Sequence, residues 1–174
     1  VGLCTVLLPG ELRRYEELAD YCEANDIRLS LPTLAAVGAA EDMRRASEEQ
    51  YEQVLGLLKS HPRLSVDWAF SYFLRPGCPA GKEKIAITCY GDVLGCSLNH
   101  ISFGNVKHEP LETIWRRAGR FSQFRKHSPR CLAAFDPYHI DNFLVPIARF
   151  DHSPVHYADH PNMTPESEPD LFER

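Results

Sequence analysis

Cys78-Pro-Ala-Gly-Lys-Glu-Lys-Ile-Ala-Ile-Thr-Cys-Tyr-Gly91-Asp-Val-Leu-Gly-Cys96 is the most telling segment of this chain. A cysteine is followed by a short β-type run, a Tyr-Gly-Asp turn and a second cysteine five residues past the turn glycine. Folding Lys84–Thr88 against Asp92–Leu94 about Tyr90 and Gly91 makes a hairpin and brings the two sulfurs toward one end of it. Soft metals such as iron and zinc take such thiolate pairs. A third cysteine, Cys131, follows an amphipathic helix and extends the donor set.

Outward from this hairpin the pattern changes on both sides. Upstream, Val1–Leu8 is a continuous apolar run that reads as a strand buried on both faces. Leu12, Tyr15, Leu18, Ala19 and Cys22 recur at helical spacing up to about Asn25. Ile27–Leu31 reads as a second strand ended by Pro32, and a loop containing Gly38 follows. Ser47 to Gln50 has the form of a capping box for a helix whose buried stripe is Tyr51, Val54, Leu55 and Leu58. Leu64–Phe70 is a third strand. Strand and helix alternating with short links predict a parallel α/β arrangement. Of the strand-end loops, Pro32, Thr33 and Gly38 occupy positions that could contact a ligand in such folds, although shaping a turn is the commoner use.

Downstream, Phe103-Gly104-Asn105-Val106 reads as a second tight turn, with Gly104 and Asn105 suited to positive φ. From Glu109 a helix is predicted with Leu111, Ile114, Trp115, Ala118, Phe121 and Phe124 on one side, ended by Pro129. Arg116, Arg117, Arg120, Arg125, Lys126 and Arg130 form a local basic cluster that reads as that helix's solvated face. Beyond Ile147 the chain turns polar and proline-rich and is expected to be a loosely held tail. Its His152, His156 and His160 recur every four residues, but Pro154 and Pro161 oppose a helix that would align them for a metal.

At 174 residues the chain can bury a real core, as one large domain or two small ones. A net charge of −5 gives no reason to expect nucleic acid, and no apolar run approaches a membrane span. Six cysteines, at 4, 22, 78, 89, 96 and 131, are compatible with a disulfide framework. Cys4 and Cys22 lie in apolar periodic segments, though, and are expected in the core, so metal-bound thiolates in a reducing cytoplasm fit better. The chain begins at Val1, already inside an apolar run, and reads as a piece of something longer.

The residues Cys78-Pro-Ala-Gly81, Ile85-Ala-Ile-Thr, Tyr90-Gly91-Asp92-Val93, Cys96, Phe103-Gly104-Asn105-Val106 and Leu111-Glu-Thr-Ile-Trp115 resemble the auxiliary cluster domain of radical S-adenosylmethionine enzymes. This is the cysteine-rich module called SPASM, or twitch in its shorter form. The resemblance covers about residues 76–145. Because only Cys131 follows where the full pattern carries several more cysteines, the chain looks like the one-cluster twitch version. Residues 1–75 are similar, in order of elements, to the end of the radical S-adenosylmethionine partial (β/α) barrel.

The resemblance implies an α/β chain in three parts. A C-terminal portion of the barrel spans 1–75, a small α+β twitch domain of hairpin plus helix spans 76–147, and a polar tail spans 148–174. It implies an auxiliary four-iron, four-sulfur cluster held by Cys78, Cys96 and Cys131. Cys89 is the leading candidate for a fourth sulfur, although packing with Ile85 and Ile87 on one strand face explains it as well. Asp136, His139 and Asp141 offer oxygen or imidazole to an open iron, with capping and solvation the commoner uses. The complete enzyme would cleave S-adenosylmethionine at a second cluster to a 5′-deoxyadenosyl radical. It would act on a small molecule or peptide, and draw electrons from a donor such as ferredoxin or flavodoxin. The Cys-x-x-x-Cys-x-x-Cys motif that binds that second cluster is missing here, so the chain alone is expected to be inactive. No residue can be named as catalytic or as a contact to S-adenosylmethionine. The alternative is a non-enzymatic structural zinc module, ranked lower because the tight Cys-x-x-Cys knuckles of zinc sites are absent.

Overall fold

The computed structural model describes residues 1–8, 10, 12–34, 47–66 and 77–164. The chain divides into two compact units, Val1–Gly77 and Cys78–Arg174.

In the first unit β1 (Gly2–Cys4), β2 (Arg28–Leu31) and β3 (Leu64–Val66) lie side by side in that order, all parallel. Leu29 stands opposite both Leu3 and Leu64. The strands form an open sheet and not a closed barrel. α1 (Leu12–Ala24) and α2 (Glu48–Ser60) supply the parallel crossovers. α1 buries Tyr15, Ala19 and Cys22, spaced by four and three residues so that they share one helix face. β2 buries Leu29 and Leu31 in alternation, as a period of two requires. Burying each such leucine contributes about 1.5–3 kcal/mol.

Three expectations for this unit need correction. The Val1–Leu8 run is not a doubly buried strand: β1 is three exposed residues, and of the run only Leu7 is buried. Cys4, expected in the core, is exposed. Among the described residues β1 pairs only with β2, so it is an edge strand, and apolar content alone cannot tell an edge from a centre. The chain beyond it stays aligned through Thr5 N to Ser30 O at 3.0 Å and Leu7 N to Pro32 O at 2.9 Å. The capping box of α2 is half formed. Ser47 Oγ accepts from Gln50 N at 3.1 Å, but the Gln50 side chain donates to Leu8 O at 2.8 Å instead of returning to the cap. The buried stripe then runs through Gln50, Tyr51, Val54 and Leu57, with Leu55 and Leu58 only half-buried. Gly38 and the end of the expected third strand, residues 67–70, lie outside the described residues.

The second unit is built on β4 (Ala86–Ile87), β5 (Asp92–Cys96) and β6 (Asn99–Asn105), consecutively antiparallel, with β7 (Val155–His156) added parallel to β6. α3 (Leu111–Ala118) packs Ile114 and Ala118 toward this sheet, followed by Phe121 and, on the one-turn α4 (Ser122–Arg125), Phe124. The rings of Phe103, Phe121 and Phe124 meet at centroid distances of 5.4 and 5.2 Å, in tilted and edge-on geometry. After Cys131 come two short turns of helix, α5 (Leu132–Phe135) and α6 (Pro137–His139). A π-helical turn over Ile140–Leu144 and a 3-10 turn over Val145–Arg149 follow.

The hairpin forms as expected, with Thr88 N bonded to Asp92 O and Gly91 N to Thr88 O, both at 2.9 Å. The expected second turn at 103–106 is displaced: Phe103–Asn105 belong to β6, with Gly104 at the expected positive φ of 146°, and the turn starts at Val106. Asn105 pairs with Asp92, and its Nδ2 donates to Tyr90 O and Asp92 Oδ1, so the reversal begins only after Asn105. The predicted single long helix breaks at Gly119, and its apolar side is uneven: Leu111 and Trp115 are partly exposed. The basic cluster is not uniformly solvated. Arg117 is half-buried, donating to both Glu109 carboxylate oxygens and to Phe103 O at 2.6 Å each.

The region past Ile147 is not a loose tail as far as Thr164. Val155 enters the sheet as part of β7, Tyr157 stacks on Phe103 at 6.1 Å, and His160 and Met163 are buried. Its apolar residues are sparse but each has a socket, which composition averages away. The three histidines go separate ways: His152 to Asp151, His156 within its own turn, and His160 to Phe143 O.

Candidate metal centre

Cys78 opens the second unit, and its backbone N donates to Ser128 O at 2.8 Å. The chain then turns at once: Lys82, Glu83 and Lys84 all donate backbone N–H to Pro79 O. Gly81 N bonds to both Lys84 O and Gly95 O at 2.8 Å, so the Cys78 arm lies against the residue preceding Cys96. Only glycine permits this approach. A Cβ on Gly81, where φ is +70°, would stand 2.6 Å from Phe124 Cβ, and one on Gly95 would stand 2.6 Å from Phe124 Cε1. Phe124 therefore packs directly on both backbones, and the two cysteine arms share one aromatic floor.

The third arm arrives from far along the chain. Cys131 is buried just before α5, and its thiol donates to the Cys78 sulfur. Backbone N–H groups of Leu132 and Ala80 also point at that sulfur. With the Cys131 bond as the largest cause, and against burial, Cys78 is held down at about 6. Cys96 moves the other way, to about 11, because its partial burial and the nearby Cys78 charge disfavour the thiolate; N–H groups of Leu98 and Asn99 pull only partly against this. The Cys78 thiolate is thus favoured and that of Cys96 disfavoured. A polycationic centre bound beside them would favour the thiolate form of both.

The sequence-predicted donors therefore separate. Cys78, Cys96 and Cys131 come together, two buried and one half-buried. Cys89 does not join them: it is exposed at the hairpin turn, at the far end of β5 from Cys96, and that strand spans roughly 13 Å. The expected shared face with Ile85 and Ile87 gives it no burial, since Ile87 is itself exposed. Asp136 is engaged as the cap of α6, accepting from His139 N at 2.9 Å. Asp141 is exposed. His139 is fully buried, which pushes its pKa down to about 4, and its Nε2 lies 3.3 Å from Asn99 Nδ2. Among the described residues no three His, Cys, Asp or Glu side chains stand close enough to share a single metal ion. Cys131 touches Cys78, and Cys96 lies near enough to feel the Cys78 charge.

Residues 78–134 match the family model of SPASM, an iron–sulfur cluster-binding domain. The matched segment contains Cys78, Cys96 and Cys131 and, as its core, the hairpin, β6, α3 and the Phe124 floor. No curated protein and no solved structure matches the chain. Sequence reasoning missed the polar surroundings of these sulfurs. The N–H groups of Ala80, Leu98, Asn99 and Leu132 and the ammoniums of Lys82 and Lys84 all act on them. Backbone donors have no sequence signature. No helix among the described residues is long and apolar enough to cross a membrane.

Proposed function

We propose that this chain holds one four-iron, four-sulfur cluster on Cys78, Cys96 and Cys131, as the auxiliary centre of a radical S-adenosylmethionine enzyme. The observation that carries the reading is the meeting of three thiols from separate arms within the SPASM-matched segment. Bound there, a cluster supplies a one-electron store and, with three protein sulfurs, an iron left for an outside ligand. The chain's own residues prepare the place. The Gly81–Gly95 bond fixes two arms, Cys131 supplies the third, four backbone N–H groups favour negative sulfur, and the buried Phe124 ring packs on Gly81 and Gly95. The catalytic radical would arise at the parent's own S-adenosylmethionine cluster. A small molecule or peptide would be the substrate, with electrons from a donor such as ferredoxin or flavodoxin.

The test is anaerobic reconstitution with iron and sulfide. Several irons per chain and broad visible absorption are expected, lost in Cys78→Ala, Cys96→Ala and Cys131→Ala and kept in Cys22→Ala and Cys89→Ala. A colourless protein carrying one zinc ion would overturn the reading.

A further inference from the structure

The stretch that joins α3 to α5 is strongly one-sided in charge. Between Thr113 and Phe135 stand six arginines and lysines and no aspartate or glutamate, in a chain whose net charge is −5. Two of the six are matched from outside the stretch, Arg116 by Glu112 and Arg117 by Glu109. Arg120 and Lys126 are exposed, and neither makes an ion pair among the described residues. They flank α4, whose Phe124, like Phe121 before it, faces the core. Lys82 adds a further ammonium from the loop after Cys78, its Nζ donating to Lys126 O, and Glu83 beside it offsets part of that charge. The same stretch runs straight into the candidate metal centre. Ser128 O accepts from Cys78 N at 2.8 Å, and Arg130 directly precedes Cys131. A partner seated over Arg120 and Lys126 rests on a segment that carries one cysteine and is hydrogen-bonded to the backbone of another.

We propose that this basic stretch is the docking surface for an acidic one-electron carrier protein that exchanges electrons with the cluster. The inference rests on the cluster reading above and adds a place of contact to it. Charge complementarity selects the occupant. Opposite charge steers the encounter and sets orientation without a large buried area, which suits a carrier that has to leave again. A nucleic acid fits less well, because a long polyanion would run off so short a patch onto a chain that is acidic as a whole. The electron count closes. A carrier bearing an anionic flavin hydroquinone loses one electron and becomes the neutral semiquinone. The cluster gains that electron, with no bond made and no proton moved.

The experiment mixes the anaerobically reconstituted chain with photoreduced flavodoxin, an acidic carrier of this kind. Loss of cluster absorbance is followed by stopped flow at low and high salt. The wild type is expected to react faster at low salt than at high. Arg120→Glu combined with Lys126→Glu should react roughly tenfold or more slowly at low salt, with the gap closing at high salt. Arg120→Lys combined with Lys126→Arg keeps both charges and should match the wild type. Iron content and complete reduction by dithionite are the controls for an intact cluster. Should the charge reversal cost the cluster, Arg120→Gln combined with Lys126→Gln carries the same comparison, with a smaller slowing expected. A charge-altered variant as fast as the wild type overturns this inference and leaves the cluster reading standing. A charge-conserving variant slowed as much as the reversed one does the same. So does binding of an RNA oligonucleotide that depends on Arg120 and Lys126 while the carrier rates do not. A wild-type chain that takes up no cluster overturns both readings.

Discussion

The first unit holds itself together through regular packing: Leu29, Leu31 and Val66 from parallel strands, and Tyr15, Ala19, Val54 and Leu57 from two four-turn helices. The second unit has short, irregular elements and a core of phenylalanines around which distant segments are drawn together. In the first unit, each element buries a stripe written in its own residues. In the second, the buried groups that matter most, Cys78, Cys131, Phe124 and Val155, sit in turns, one-turn helices or a two-residue strand. Such pieces cannot be stable alone and exist because long-range contacts hold them. The contrast teaches that regular secondary structure and chemical competence can be distributed very unevenly along one chain.

The largest effect expected to separate the units comes from Leu31→Ala. Truncating this fully buried side chain should cost about 2–5 kcal/mol and melt the first unit, with reconstituted cluster absorbance retained. Loss of the cluster in step with the first unit would break the comparison. The reciprocal change, Gly95→Ala, places a methyl against the Phe124 ring and should cost about 1–3 kcal/mol by overpacking. It should parallel a drop in iron content, while hydrogen exchange in α1 and α2 stays as in the wild type.

The smallest effect concerns acid. His61 is raised by its bond to Asp20, so the stability it contributes is full below the unfolded value of about 6.5 and is lost as pH climbs through its folded value. His139 is lowered to about 4 by burial, so its contribution is full above about 6.5 and lost as pH falls toward 4. His100 and His160, both lowered by burial, act in the same sense as His139. Between pH 7 and 5, hydrogen exchange read unit by unit should show the second unit loosening relative to the first. Parallel behaviour would mean that these histidines do not distinguish the two.

Much of the first unit was legible because helical spacing and strand alternation are local signals. Tyr15, Ala19 and Cys22 share a face by arithmetic, and β2 follows from its alternation. Its failures were at edges: the Val1–Leu8 run looks the same whether or not a second strand covers it, and Gln50 left its box for Leu8 O because a tertiary partner outcompeted the local one. In the second unit the hairpin was legible from Tyr90-Gly91-Asp92. The strand at Phe103–Asn105 was not, because glycine and asparagine signal a turn wherever they stand. The burial of His160 and Met163 and the packing of Tyr157 on Phe103 were hidden among prolines.

By itself the sequence determined the alternation of strands and helices in residues 1–66, the cysteine hairpin and the SPASM spacing of Cys78, Gly91 and Cys96. These are short-range properties, set by periodicity and turn chemistry within a few residues. Only the tertiary structure decided that Cys131 reaches Cys78 while Cys89 is left exposed at the other end of β5. The reason is that sulfurs meet where packing brings their arms together. Here that packing is the seating of Phe124 on Gly81 and Gly95, more than forty and close to thirty residues away along the chain.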